Sequence, residues 1–177
     1  MGLWKMKFDF LDLGTVVGVH GLQGELRVKP MCDTPAFFRQ FTTLYYDAQG
    51  QKPVSVVGVR EHKQLALLKL EDITTAEQAH ALRGKLLYFK RSDAKLGDGQ
   101  YFIAELVGCE VYDFADGLHY GEICDVTSPG RHDVWHIRMN NGKEVLIPVI
   151  DDVVKHVDIA AGRVEITMLA GLIDAND

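Results

Sequence analysis

Seven histidines and three cysteines are the first residues to test for chemistry, because a metal or a nucleophile would use them. His132 and His136 are four apart. Val134–Met139 has strand character, and in an extended chain four residues rise about 13 Å, too far for one metal. His20, His62, His80, His119 and His156 are scattered, with no Cys or carboxylate at ligand spacing. Cys32, Cys109 and Cys124 form no C-x-x-C pair and are odd in number, which argues against a disulfide framework and for a reducing compartment. No G-x-S-x-G occurs, and Asp151 and Asp152, being adjacent, point to opposite faces of an extended chain. The reading is a chain that is not an enzyme, with no metal site and no cofactor.

The stretch Gly14-Thr-Val-Val-Gly18-Val-His20-Gly21-Leu-Gln-Gly24 invites a phosphate-loop reading. No Gly-Lys-Ser/Thr closes it, and its glycines are not spaced G-x-G-x-x-G before a helix. Flanking strands also argue against a KH clamp loop. A tight β-connection explains the glycines better. Its exposed amides, with His20, Gly21, Gly24, Arg27, Lys29 and Lys63, remain candidates for contact with RNA phosphate.

The elements that must position these residues are mostly strands. Runs at 13–19, 25–29, 44–46, 54–59, 65–70 and 85–89 carry β-rich composition or alternation. On the first of these, Leu13, Thr15, Val17 and Val19 are expected on one face. One short helix is expected after Thr74, with Thr74 capping and Glu77 reaching back to it. In the second half, Asp116-Gly117 and Asn141-Gly142 mark tight turns between strand pairs at 110–114/118–126 and 134–139/144–147. Further short strands are expected at 153–154, 157–159 and 164–168. Many short strands at this spacing predict a mainly β protein, two β-barrels in tandem with one short helix. Tyr101 and Phe102, if on a strand, would face opposite sides.

The formal charge of −6 conceals a division. Residues 1–92 hold 13 Lys and Arg against 9 Asp and Glu, a net of +4; residues 93–177 hold 6 against 16, a net of −10. The polar, Gly-containing stretch at 93–99 reads as a linker between domains at 1–92 and 100–177. The basic residues of the first half are dispersed, so only a folded barrel could gather them into a patch. No apolar run is long enough for a membrane helix, and no signal peptide opens the chain, so a cytoplasmic location is expected.

Several motifs, in this order, resemble those of the RimM family of ribosome maturation factors. They are the opening Gly14–Val28 stretch, Ile73–Ala79 with Leu82-Arg83-Gly84, the aromatic pair Tyr101-Phe102, Gly130-Arg131-His132-Asp133-Val134-Trp135, and Glu144–Pro148. The resemblance implies an N-terminal barrel like those of translation factors and a C-terminal PRC-barrel. It also implies a monomeric, non-enzymatic assembly factor that binds the small (30S) ribosomal subunit and its precursors. Its partners would be a basic protein of the subunit head, of the nineteenth small-subunit family, and 16S rRNA, whose late folding and processing it assists. Tyr101, Phe102, Arg131, Asp133 and Trp135 are the implied protein contacts. Phe102 departs from the family's second tyrosine, and Met31-Cys32-Asp33 from its usual x-Thr-Asp. A PRC-barrel adaptor unconnected with ribosomes is the alternative reading.

Overall fold

The computed structural model describes residues 9–171. It is mainly β and divides into two compact units, Asp9–Gly97 and a second beginning at Asp98. Within these bounds Asp9–Gly97 holds 12 Lys and Arg against 10 Asp and Glu, a net of +2, and residues 98–177 hold 5 against 15, a net of −10.

The first unit is a closed barrel of β1 (Phe10–His20), β2 (Glu25–Pro30), β3 (Thr43–Tyr45), β4 (Pro53–His62), β5 (Leu65–Leu70) and β6 (Leu86–Lys90), in the order β1-β2-β5-β4-β3-β6. Closure removes the free edges that an open sheet of this size would expose. Leu13, Leu26, Val28, Leu44, Leu68, Leu70, Leu87 and Phe89 fill it, all essentially without solvent contact. The expected face of β1 is corrected. Register shifts between Asp12 and Gly14 and between Val16 and Gly18 turn Val16 into the core and leave Val17 37% exposed.

Helix α1 (Ala76–Ala81) lies where a helix is predicted, but its cap is one residue later. Thr75 caps it and Gln78 completes the box: Gln78 N donates to Thr75 Oγ1 at 3.2 Å, and Thr75 N donates to Gln78 Oε1 at 3.1 Å. Residues 91–95 pack with this unit: Ala94 is buried, and Lys95 N donates to Gln40 Oε1 at 2.7 Å.

The second unit is a six-stranded sheet. Its strands are β7 (Glu110–Asp113), β8 (His119–Thr127), β9 (Val134–Met139), β10 (Glu144–Pro148), β11 (Val154–Asp158) and β12 (Arg163–Ile166), in the order β10-β9-β8-β7-β12-β11. Both tight turns predicted from Asp-Gly and Asn-Gly are present, joining β7 to β8 and β9 to β10. The β7–β12 pair is parallel. One core serves the sheet, with Trp135 at its centre among Val111, Ile123, Ile137, Val145, Ile147, Val164 and Ile166. A second short helix, α2 (Ile103–Leu106), opens the unit and is not among the elements expected from the sequence.

Candidate functional site

In the first unit the candidates gather around two hairpins. Val19 and His20 lead out of β1, and the chain returns at Glu25 directly opposite His20. Gly21 and Gly24 both hold positive φ, at 66° and 72°, for different reasons. Gly21 stands in open space, whereas a Cβ on Gly24 would lie 2.7 Å from Thr75 O and 3.0 Å from Thr75 N. Gly24 is therefore buried backbone packed on the helix cap, not an exposed phosphate contact. Lys69 Nζ donates to Gln23 O and ties the loop to β5. Leu22, at the loop tip, is 88% exposed.

The β4–β5 hairpin supplies the rest. Val28 pairs opposite Ala66, which carries Lys29 toward the turn at Lys63, itself in left-handed conformation at φ 57°. Lys29 and Lys63 are exposed; Arg27 is half-buried, with Nε shut off from solvent and no acceptor. His62, absent from the sequence candidates, lies with its ring 6.1 Å from that of His20. Only the pairing of distant strands brings the two imidazoles together, so nothing in the local sequence marks them. Not every cation is available. Arg60 donates to both oxygens of Glu25, at 3.0 and 2.5 Å, and Arg39 pairs with Glu61 at 2.8 Å.

In the second unit Tyr101 and Phe102 are not on a strand. Phe102 is the N-cap residue of α2, and its carbonyl accepts from Glu105 N at 2.9 Å and Leu106 N at 3.1 Å. Tyr101 is 36% exposed and the neighbouring Ile103, not among the predicted contacts, is 50% exposed. Arg131 and Asp133 are exposed in the β8–β9 loop, where Asp133 accepts the Ser128 hydroxyl at 2.5 Å and its carbonyl accepts Val149 N at 2.8 Å. Trp135 is the correction: at 1% exposure it is core and meets no partner directly. Trp135 sits on the inward face of a half-buried strand, where the largest apolar side chain buries most surface.

The second unit's histidines on β8 and β9 have structural partners. His119 pairs with Glu110, and His136 bridges Thr127 Oγ1 at 3.0 Å and Glu144 Oε1 at 2.7 Å. Among the described residues no group of three or more His, Cys, Asp and Glu is placed to hold a metal, and no helix is long and apolar enough to cross a membrane.

The β7–β8 turn is organised by Asp113. Its Oδ2 accepts the Tyr120 hydroxyl at 2.7 Å, and Oδ1 accepts Ala115 N at 2.8 Å. The Tyr120 hydroxyl first, then the turn amides, holds this carboxyl below the usual carboxylate range; burial first, then Asp113, pushes Tyr120 up to about 12. A carboxyl lowered on folding stabilises the fold above its unfolded value of about 4, and that contribution is lost as pH falls through the folded value. Asp113→Asn should therefore lower the second unit's melting temperature at neutral pH and flatten its decline in acid. Thermal melts across that range check both effects; parallel acid profiles for variant and wild type would deny Asp113 this role.

A closed barrel of net positive charge joined in sequence to an acidic sheet domain defines a two-module β protein. The RimM N-terminal domain model matches residues 11–94 and the RimM PRC barrel domain model matches residues 103–172. The chain belongs to the RimM family. It is 35% identical over 171 residues to the ribosome maturation factor RimM of Lactobacillus gasseri, spanning 95% of this chain and 99% of that one. To the ribosome maturation factor RimM of Bacillus pumilus it is 36% identical over 174 residues, 96% of this chain and 99% of the relative. A crystal structure of a 16S ribosomal RNA processing protein RimM from Pseudomonas aeruginosa matches 92% of this chain and 99% of its own, at 25% identity and a TM-score of 0.44.

Proposed function

We propose that this protein is a non-enzymatic assembly factor of the small ribosomal subunit, acting in the cytoplasm as a monomer. The observation that carries this reading is that both units match the RimM family while bearing opposite net charge, +2 over Asp9–Gly97 and −10 over residues 98–177. An acidic unit attracts a basic ribosomal protein and repels bare RNA, which gives each module a different partner. The basic protein of the subunit head, of the nineteenth small-subunit family, is seated on the acidic unit at Tyr101, Phe102 and the Arg131–Asp133 loop. The barrel approaches 16S rRNA phosphate through His20, Gly21, Lys29 and Lys63, with Arg27 beside them, and so assists late folding and processing. Release must follow, since a permanent ligand on the head would block subunit joining.

Sucrose-gradient sedimentation of lysate tests the reading: the protein should travel with small subunits or their precursors. A protein that never does so, yet binds an isolated basic ribosomal protein, is an adaptor without ribosomal work. Within this reading, Tyr101→Ala combined with Phe102→Ala should weaken subunit association at least about tenfold while changing stability little, because Tyr101 is partly exposed. Equal losses of melting temperature and binding would assign the pair to packing. Raising ionic strength from low to physiological should weaken binding to the basic protein, since exposed charges are screened within a Debye length of about 8 Å.

A further inference from the structure

Topology brings exposed apolar side chains and aspartates, with Lys155 Nζ donating to Asp151 O at 2.8 Å, to one end of the second sheet, away in sequence from Tyr101 and the Arg131 loop. Strands β7 and β12 run parallel, so both finish at the same end. There Phe114 N donates to Ile166 O at 2.8 Å, fixing the β7–β8 turn beside the end of β12. On the other side Thr167 N donates to Val153 O at 2.8 Å, which brings up the turn at 150–153 that precedes β11. Phe114 is 56% exposed, Leu118 58% and Leu169 36%; they are half of the six exposed large hydrophobics described in this unit. Asp116 stands in the first turn and Asp151 and Asp152 in the second, all exposed.

Single exposed apolar side chains are ordinary, but neighbours held out of the core by a fixed turn are not. This turn is fixed. Besides the bonds to Asp113, Gly117 N donates to Asp113 O at 3.0 Å, Leu118 N to Asp116 Oδ1 at 2.9 Å, and Asp113 N to Leu118 O at 2.8 Å. Phe114 and Leu118 flank a turn with little freedom left to lose, which lowers the entropic cost of binding there.

We propose that this sheet end docks a basic amphipathic segment of a partner protein, its apolar side chains on Phe114, Leu118 and Leu169 and its Lys or Arg facing Asp116, Asp151 and Asp152. Charge selects the occupant. Nucleic acid and anionic lipid are repelled by the three aspartates, and a second copy of the chain would bring the same aspartates face to face. The inference rests on the reading of the acidic unit as the seat of a basic protein and adds a second contact to it.

The probe is a short fluorescein-labelled peptide alternating Lys and Leu, with a Lys/Ser peptide of equal charge as control, titrated against the full chain by anisotropy. Phe114→Ser with Leu118→Ser should weaken the Lys/Leu peptide at least about tenfold and leave the Lys/Ser peptide unchanged. Asp151→Lys with Asp152→Lys should weaken both, and serves if the first variant melts early. Equal binding of Lys/Leu peptide by wild type and both variants overturns the surface. So does a concentration-dependent sedimentation coefficient that the Phe114/Leu118 variant abolishes, since that assigns the patch to self-association.

The sedimentation arm separates this inference from the reading it rests on. If wild type travels with small subunits and the Phe114/Leu118 variant does so equally, the second contact is wrong and the assembly role stands. If wild type does not travel, the assembly role fails and the peptide result alone judges the surface.

Discussion

Trp135→Ala should cost the second unit about 3–5 kcal/mol, the range for deleting a buried large aromatic. The side chain is 1% exposed and is the largest fully buried residue described, packed among Val111, Ile123, Ile137, Val145 and Ile147. A domain stable by roughly 5–15 kcal/mol loses much of its margin to such a change. Denaturation followed by circular dichroism should show an early transition for the second unit, while the barrel's transition stays where it was. Trp135→Phe leaves a smaller void, and a cost under about 2 kcal/mol is expected. The Tyr101/Phe102 pair should behave differently: Trp135→Ala should lose partner binding in proportion to folded fraction, and the aromatic pair should lose it with the fold intact. A Trp135→Ala protein with unchanged melting would remove Trp135 from the core.

Trp135 also shows what the sequence made legible. Its placement with Ile137 and Met139 on one face of a strand could be read from alternation, and the two tight turns beside it from Asp-Gly and Asn-Gly. Its burial was legible too, since that face is apolar while the opposite one carries His136 and Arg138; only the family resemblance pointed Trp135 at a partner. On β1 the same reading failed for Val17, since two register shifts flip the face and no residue pattern announces them. The α1 cap slipped by one because Thr74–Glu77 and Thr75–Gln78 have equal spacing, and only the folded chain shows Gln78 Oε1 accepting from both Thr74 N, at 2.9 Å, and Thr75 N. Helix α2, four residues long, is too short to display a period. The candidate sites suffer most from this limit. His20 meets His62, and the β7–β8 and 150–153 turns both reach the end of β12, only through strand pairings that no local signal encodes.

Gly24→Ala should destabilise the barrel by about 2–5 kcal/mol, and Gly21→Ala by only about 1–2 kcal/mol. Both residues sit at positive φ, where an L side chain costs roughly 1–2 kcal/mol. A methyl added at Gly21 would meet nothing within 4 Å, so backbone strain is its whole cost. At Gly24 the methyl would meet Thr75 O at 2.7 Å, Thr75 N at 3.0 Å and Ile73 Cγ2 at 3.1 Å. Two of these are backbone atoms of the residue whose hydroxyl caps α1, so relief requires shifting the cap and straining the Thr75–Gln78 box, at a further cost of about 1–3 kcal/mol. Denaturant unfolding of the two variants measures the difference. The same pair separates structure from recognition in the glycine-rich stretch. If the loop contacts rRNA phosphate, Gly21→Ala should weaken small-subunit association beyond its small effect on stability, because Gly21 is the exposed member. Gly24→Ala should weaken it only as far as it unfolds the barrel. Equal stability losses would mean that α1 yields to the methyl at no cost, and that Gly24 is not the bolt between loop and helix.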